Sequence, residues 1–203
     1  MADPSHTYLA LGDSYTIGEG VPLHESFPYQ AVQMLRKAGK RFHAPEIIAK
    51  TGWTTDELSA AIAQTALQPT YDLVTLLIGV NNQYRGRSIE EYAVQFDELL
   101  QQAITFAGNQ PGHVVVLSIP DWGATPFAAD RDPQKIATAI DAFNMINKTI
   151  SNNYKVHYLD ITPGTRTSAS DESMLAPDKL HPSGKEYKRW AENLATTVGG
   201  TFN

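Results

Sequence analysis

The sequence predicts an α/β fold: a five-stranded parallel sheet with helices on both faces, in a single domain over residues 1–203. Three observations predict it. Five short apolar, often β-branched runs read as buried strands. Stretches of helical periodicity separate them, and the alternation continues along the whole chain. At 203 residues the length suits one ordinary domain. Such a chain buries roughly 70% of its unfolded surface and needs no disulfide or metal staple.

The first strand is Thr7 to Leu11, β-branched and apolar. About 14 residues follow before a helix near Pro28, a long connection for a compact α/β domain. Pro45 to Ala49 is the second strand. The helix after it opens at Thr54, where Thr54 and Glu57 fit the capping box in which two side chains satisfy each other's orphan amides. Leu73 to Ile78 is the third strand. The next helix starts at a second box, Ser88 and Glu91, and puts Tyr92, Phe96, Leu99, Leu100, Ala103 and Ile104 on one face. Val114 to Ile119 is the fourth strand. Asp132 with Pro133 marks the following helix as N-cap and first-turn proline, with Ile136, Ile140, Phe143 and Ile150 turned inward. Val156 to Leu159 is the fifth strand. About 20 residues then lead to a third box, Ser183 and Glu186, ahead of the Tyr187, Trp190, Ala191, Leu194 and Val198 face.

Composition narrows the function. Hydrophobic residues at 42% and charged residues at 19% are globular proportions, not those of a disordered chain. The absence of cysteine excludes thiolate catalysis, Cys-ligated zinc and disulfides. A net charge of −6 argues against a nucleic-acid partner, which needs a basic face. No run approaches 18 apolar residues, so integral membrane contact is not expected. The start, Met-Ala-Asp-Pro-Ser-His, lacks a basic head before an apolar core, so no signal peptide is read. The expectation is a cytoplasmic protein, or a periplasmic or secreted mature form given a new start methionine.

Ligands of an open α/β sheet bind outside the C-terminal ends of the strands, so the residues there matter most. They are Gly12-Asp13-Ser14-Tyr15-Thr16, Thr51-Gly52-Trp53, Gly79-Val80-Asn81-Asn82 and Pro120-Asp121-Trp122-Gly123. The long fifth loop adds Asp178-Lys179-Leu180-His181. These compose a nucleophilic site. A serine hydroxyl needs a neighbouring base, and His181 suits that near neutral pH. The imidazole needs its other nitrogen held, and Asp178 is three residues away; Asp160 and Asp171 are rival partners. Oxyanion donors are available from the backbone N–H of Gly52 and Ser14 and the side-chain amide of Asn81, each worth about 3 kcal/mol at the transition state. Asp13 reads as structural, tying the tight turn through its carboxylate. Trp122 and Phe127 are candidates to line an acyl or leaving-group pocket.

Taken in order, Gly12-Asp13-Ser14, Gly52, Gly79-Val80-Asn81-Asn82 and Asp178 to His181 make the sequence resemble the SGNH, or GDSL-type, hydrolase family of esterases and lipases. The blocks span residues 12 to 181. The resemblance implies a flavodoxin-like, three-layer α/β/α sandwich with a Ser14–His181–Asp178 triad and an oxyanion hole from Ser14, Gly52 and Asn81. It implies an ester substrate, either a small molecule or a carbohydrate or lipid ester, and no metal or other cofactor. Two positions depart from the family pattern. Tyr15 replaces a leucine, at a position read as packing. Asn82 replaces an aspartate, removing a possible acceptor near the site.

The function expected is hydrolysis of carboxylic esters, of short-chain acyl or acetyl type, through an acyl-enzyme on Ser14. Lysophospholipase or thioesterase activity fits the same triad, and a catalytically silent carbohydrate-binding relative is the non-enzymatic alternative. A two-metal phosphoesterase would need a denser set of carboxylates and histidines than Asp13, Asp178 and His181. Neither G-x-x-x-x-G-K-[ST] nor a post-strand G-x-G-x-x-G supports a nucleotide-binding module. There is no G-x-S-x-G elbow of the ordinary α/β-hydrolase kind.

Overall fold

The computed structural model describes residues 5–202. Met1 to Pro4, on which part of the leader reading rests, lie outside the described residues. Five strands, β1 (Tyr8–Asp13), β2 (Glu46–Lys50), β3 (Leu73–Leu77), β4 (Val114–Leu117) and β5 (His157–Leu159), form one all-parallel sheet in the order β2-β1-β3-β4-β5. That is the flavodoxin order, whose direction of winding switches between β1 and β3.

The helices of the covering layers are α2 (Phe27–Lys37), α3 (Thr55–Gln64), α5 (Ile89–Phe106), α6 (Pro133–Tyr154) and α8 (Gly184–Val198). α2 and α8 pack together, while α3 packs on α5 and α5 on α6, so the sheet is covered on both sides. Burial explains the sequence pattern. β1, β3 and β4 are buried at every position, which is why they read as unbroken apolar runs. The outer strands β2 and β5 are half-buried and read more weakly.

All five expected strands are present, with ends shifted by a residue or two. The shift matters at β1, which continues through Gly12 and Asp13. The glycine is required there, because a Cβ would run into Thr16 Oγ1 and the carbonyl of Leu77 on β3. Three short helices went unread: α1 (Ser14–Ile17), α4 (Val80–Tyr84) and α7 (Thr162–Ser168). They occupy the strand-end loops and are too short to show a 3.6-residue period.

The caps hold in part. Glu57 accepts from the Thr54 amide at 2.9 Å, completing the first box. Asp132 accepts from Lys135 N at 3.1 Å as expected. Ser88 accepts from Glu91 N at 3.1 Å, but the Glu91 carboxylate turns to Arg87 and Gln95. The third box does not form. Ser183 Oγ donates to the carbonyl of Ser173 at 2.8 Å. Glu186 is buried and accepts from Ser168, Arg189 and Trp190 instead. A buried carboxylate with three donors has no reason to reach back to the helix start.

Candidate active site

Four connections at the C-terminal edge of the sheet converge on one crevice. Ser14 opens α1 directly after β1. Asp13 caps that turn, its Oδ1 accepting from Tyr15 N at 3.0 Å. This is the structural role expected of Asp13. Gly52 follows β2 with φ +86, a left-handed conformation that glycine adopts without strain. Asn81 lies in the first turn of α4 after β3. The loop after α7 brings Asp178 and His181.

That last loop is built by its own aspartate. Asp178 Oδ1 accepts from the backbone N–H groups of Leu180 and His181, both at 3.0 Å, an Asx turn. The turn is tight enough to place Lys179 at φ +62. Ala176 N donates to the carbonyl of His181 at 2.7 Å, closing the loop onto itself. The other oxygen, Asp178 Oδ2, lies 2.6 Å from His181 Nδ1. His181 Nε2 in turn lies 2.9 Å from Ser14 Oγ, across 167 residues of sequence. Ser14 is 4% exposed and His181 6%, and both line the crevice. Partial burial raises the Asp178 carboxyl, but the His181 ring and the two backbone N–H groups outweigh it and hold it below the usual carboxylate range.

Neither rival acid meets the histidine. Asp160 accepts from Ser118 Oγ and Thr162 N at the end of β5. Asp171 accepts from Ser173 N.

The Asn81 side chain donates from Nδ2 to the carbonyl of Trp53 at 3.0 Å and, more loosely, to Asp13 Oδ2 at 3.4 Å. Burial pushes the Asp13 carboxyl up to about 7, only partly offset by the Tyr15 N–H and the Asn81 amide. Asn82 faces away from the crevice. It is fully buried, accepts from Thr55 N at 3.1 Å and donates to Thr55 Oγ1 at 2.7 Å. The position that was expected to cost the site an acceptor instead joins α4 to the start of α3.

The crevice holds a cavity of about 190 Å³ bounded by Ser14, Gly52, Asn81 and His181 on its polar side. Trp122 and Phe127, the candidate pocket residues, are both on its wall together with Tyr84. Trp122 is buried, with its Nε1 donating to Gln83 at 2.7 Å, and stands edge-on to Tyr84 and Phe127. Those two flank it at the surface, 49% and 46% exposed. The sequence reading missed Tyr84, and also Arg85, whose Nη2 donates to the carbonyl of Gly52 at 2.6 Å. Arg85 has no counterpart in the four blocks, so no motif signalled it.

The chain belongs to the GDSL-like lipase/acylhydrolase family, whose profile matches residues 10–189. Solved structures share the fold. A lipase/acylhydrolase from Enterococcus faecalis gives a TM-score of 0.74 at 18% identity, with 98% of this chain and 97% of that one covered. TesA gives 0.75 at 18% identity over 96% and 98%. Axe2, an acetylxylan esterase from Geobacillus stearothermophilus, gives 0.71 at 16% identity over 98% and 97%. No curated protein matches the chain in sequence. Among the described residues, no helix is long and apolar enough to cross a membrane.

Proposed function

We propose that this GDSL-family hydrolase cleaves carboxylic esters of short acyl groups by a serine mechanism. The observation that carries the reading is the imidazole of His181, seated between Ser14 Oγ at 2.9 Å and Asp178 Oδ2 at 2.6 Å. In this reading Ser14 Oγ attacks the acyl carbonyl as His181 Nε2 takes its proton. Asp178 fixes the tautomer with the second proton on Nδ1 and stabilises the imidazolium. The Ser14 and Gly52 N–H groups and the Asn81 amide receive the oxyanion, which replaces the long Asn81 contact to Asp13. His181 then protonates the departing alcohol. Water, deprotonated by the same imidazole, releases the carboxylic acid and restores Ser14.

The short acyl group is supported by the cavity. Its volume of about 190 Å³ lies below the roughly 300–1,000 Å³ of pockets for drug-sized ligands. Its aromatic wall of Tyr84, Trp122 and Phe127 supplies apolar contact without a charge. That the fold is also that of an acetylxylan esterase from Geobacillus stearothermophilus agrees with an acetyl-sized acyl group.

The test is hydrolysis of p-nitrophenyl esters from acetate to palmitate, with chelator present, by the wild type and Ser14→Ala. Acetate and butyrate are expected to be the best substrates. Ser14→Ala is expected to lower kcat by about 10⁴ or more. Activity within tenfold of wild type in that variant would end the serine assignment, and a preference for palmitate would end the short-acyl one.

A further inference from the structure

Tyr15 occupies the position where the family's first block commonly carries leucine, and its ring lies against the histidine. The centroids of Tyr15 and His181 are 4.9 Å apart with the planes tilted by 52°. Tyr15 is buried and its backbone is pinned by the Asp13 cap. Tyr15 also packs on Trp190 of α8, 6.4 Å away and stacked at 26°. Trp190 is itself fixed, donating from Nε1 to Glu186 at 3.0 Å and standing edge-on to Tyr187 at 5.2 Å. The imidazole is thus held at its two nitrogens by Ser14 and Asp178, with a buried, packed aromatic ring alongside.

We infer that Tyr15 is a positioning residue that fixes the His181 imidazole and stabilises its protonated form through the aromatic face. The inference deepens the esterase reading and rests on it for its consequence in catalysis. A cation over the face of a ring and within about 6 Å of its centroid is drawn to the ring quadrupole, an attraction leucine cannot supply. In the proposed reaction His181 gains its positive charge as it takes the Ser14 proton. The contact therefore strengthens on the way to the transition state and acts on kcat more than on KM. The charged or titratable groups around the pair are Asp178 on the histidine's own loop, Asp13 on β1, Glu19 after α1, Asp121 after β4, and Tyr187 and Glu186 on α8. All of them are present in every Tyr15 variant, so Tyr15→Phe against Tyr15→Leu compares an aromatic ring with an aliphatic side chain among the same charged groups.

The experiment titrates the His181 imidazole by NMR in wild type, Tyr15→Phe and Tyr15→Leu, and measures kcat and KM for p-nitrophenyl acetate across pH. Tyr15→Phe is expected to keep the wild-type titration midpoint. Tyr15→Leu is expected to lower it by roughly 0.4 to 1.5 pH and to lower kcat about 2- to 30-fold with KM little changed. The acidic limb of kcat/KM moves to lower pH with it, because a free base is then available sooner. A Tyr15→Leu midpoint equal to wild type overturns the inference whatever the rate does. So does an equal loss in both variants, which would assign the effect to the hydroxyl. Should Tyr15→Leu not fold, Tyr15→Met fills the space without an aromatic face and carries the same two readings. The esterase reading fails separately, on an active Ser14→Ala, and that result leaves the NMR comparison intact.

Discussion

Arg85, the C-cap of α4, donates from Nη2 to the carbonyl of Gly52 at 2.6 Å, while Nη1 of the same guanidinium lies 3.3 Å from Glu57 on α3. One side chain thus spans from the helix that carries Asn81 to the turn that carries Gly52. The guanidinium fork thereby restrains the Gly52–Trp53 peptide, whose other end donates from Trp53 N to the carbonyl of Lys50 at 3.2 Å.

Arg85→Ala is accordingly expected to lower kcat by roughly 5- to 10-fold, because a small displacement of the proposed Gly52 oxyanion donor would weaken transition-state binding selectively. Arg85→Lys is not expected to rescue it, since a lysine lacks the rigid planar fork that holds the two acceptors on separate nitrogens. Steady-state kinetics on p-nitrophenyl acetate check this. A rise in KM with kcat intact would instead make Arg85 a substrate contact.

For the acid of the proposed triad, Asp178→Asn is expected to lower kcat near 10⁴-fold by allowing the wrong imidazole tautomer. Asp160→Asn, whose carboxylate is engaged by Ser118 and Thr162, is expected to leave kcat close to wild type. The two variants assayed side by side decide between the partners, and a larger loss in Asp160→Asn would reverse the assignment.

Asn82 satisfies both the amide and the hydroxyl of buried Thr55. Asn82→Ala leaves a buried N–H without an acceptor, so a destabilisation of about 1–3 kcal/mol is expected. Urea unfolding measures it. A change below about half a kcal/mol would mean that the α3–α4 junction gains nothing from this side chain.

The pH dependence of stability follows from Asp13. Its carboxyl titrates near 3.8 when unfolded and is held up to about 7 by burial in the fold, so between those values folding takes up a proton. Its contribution to stability is full below pH 4 and is lost as pH rises through 7. Compared with Asp13→Asn, which has no such group, the wild type should lose unfolding free energy steadily from pH 4 to 7. Parallel curves for the two proteins would show that Asp13 is ionised in the fold throughout that range.

Much of this arrangement was legible in the sequence because strands buried on both faces leave unbroken apolar runs, as in Leu73–Leu77 and Val114–Leu117. Helix starts were legible wherever the cap is a local exchange, as at Thr54 and Asp132. At Ser183 the same spacing misled, because Glu186 finds partners on α7 and on later turns of its own helix. The proximity of Ser14, Asp178 and His181 was inferred from residue types at strand ends and loop lengths. The contact of Tyr15 with His181 and the reach of Arg85 to Gly52 depend on side-chain directions across distant segments, and no local pattern encodes them.

The bond from His181 to Ser14 closes a loop of 167 residues, and its histidine is delivered just ahead of α8, which packs on α2. A nascent chain emerging from the ribosome would therefore have its sheet largely paired while still inert. On the proposed mechanism turnover would begin only once His181 has been made and seated against Ser14, so its appearance would report a late step of folding rather than an early one.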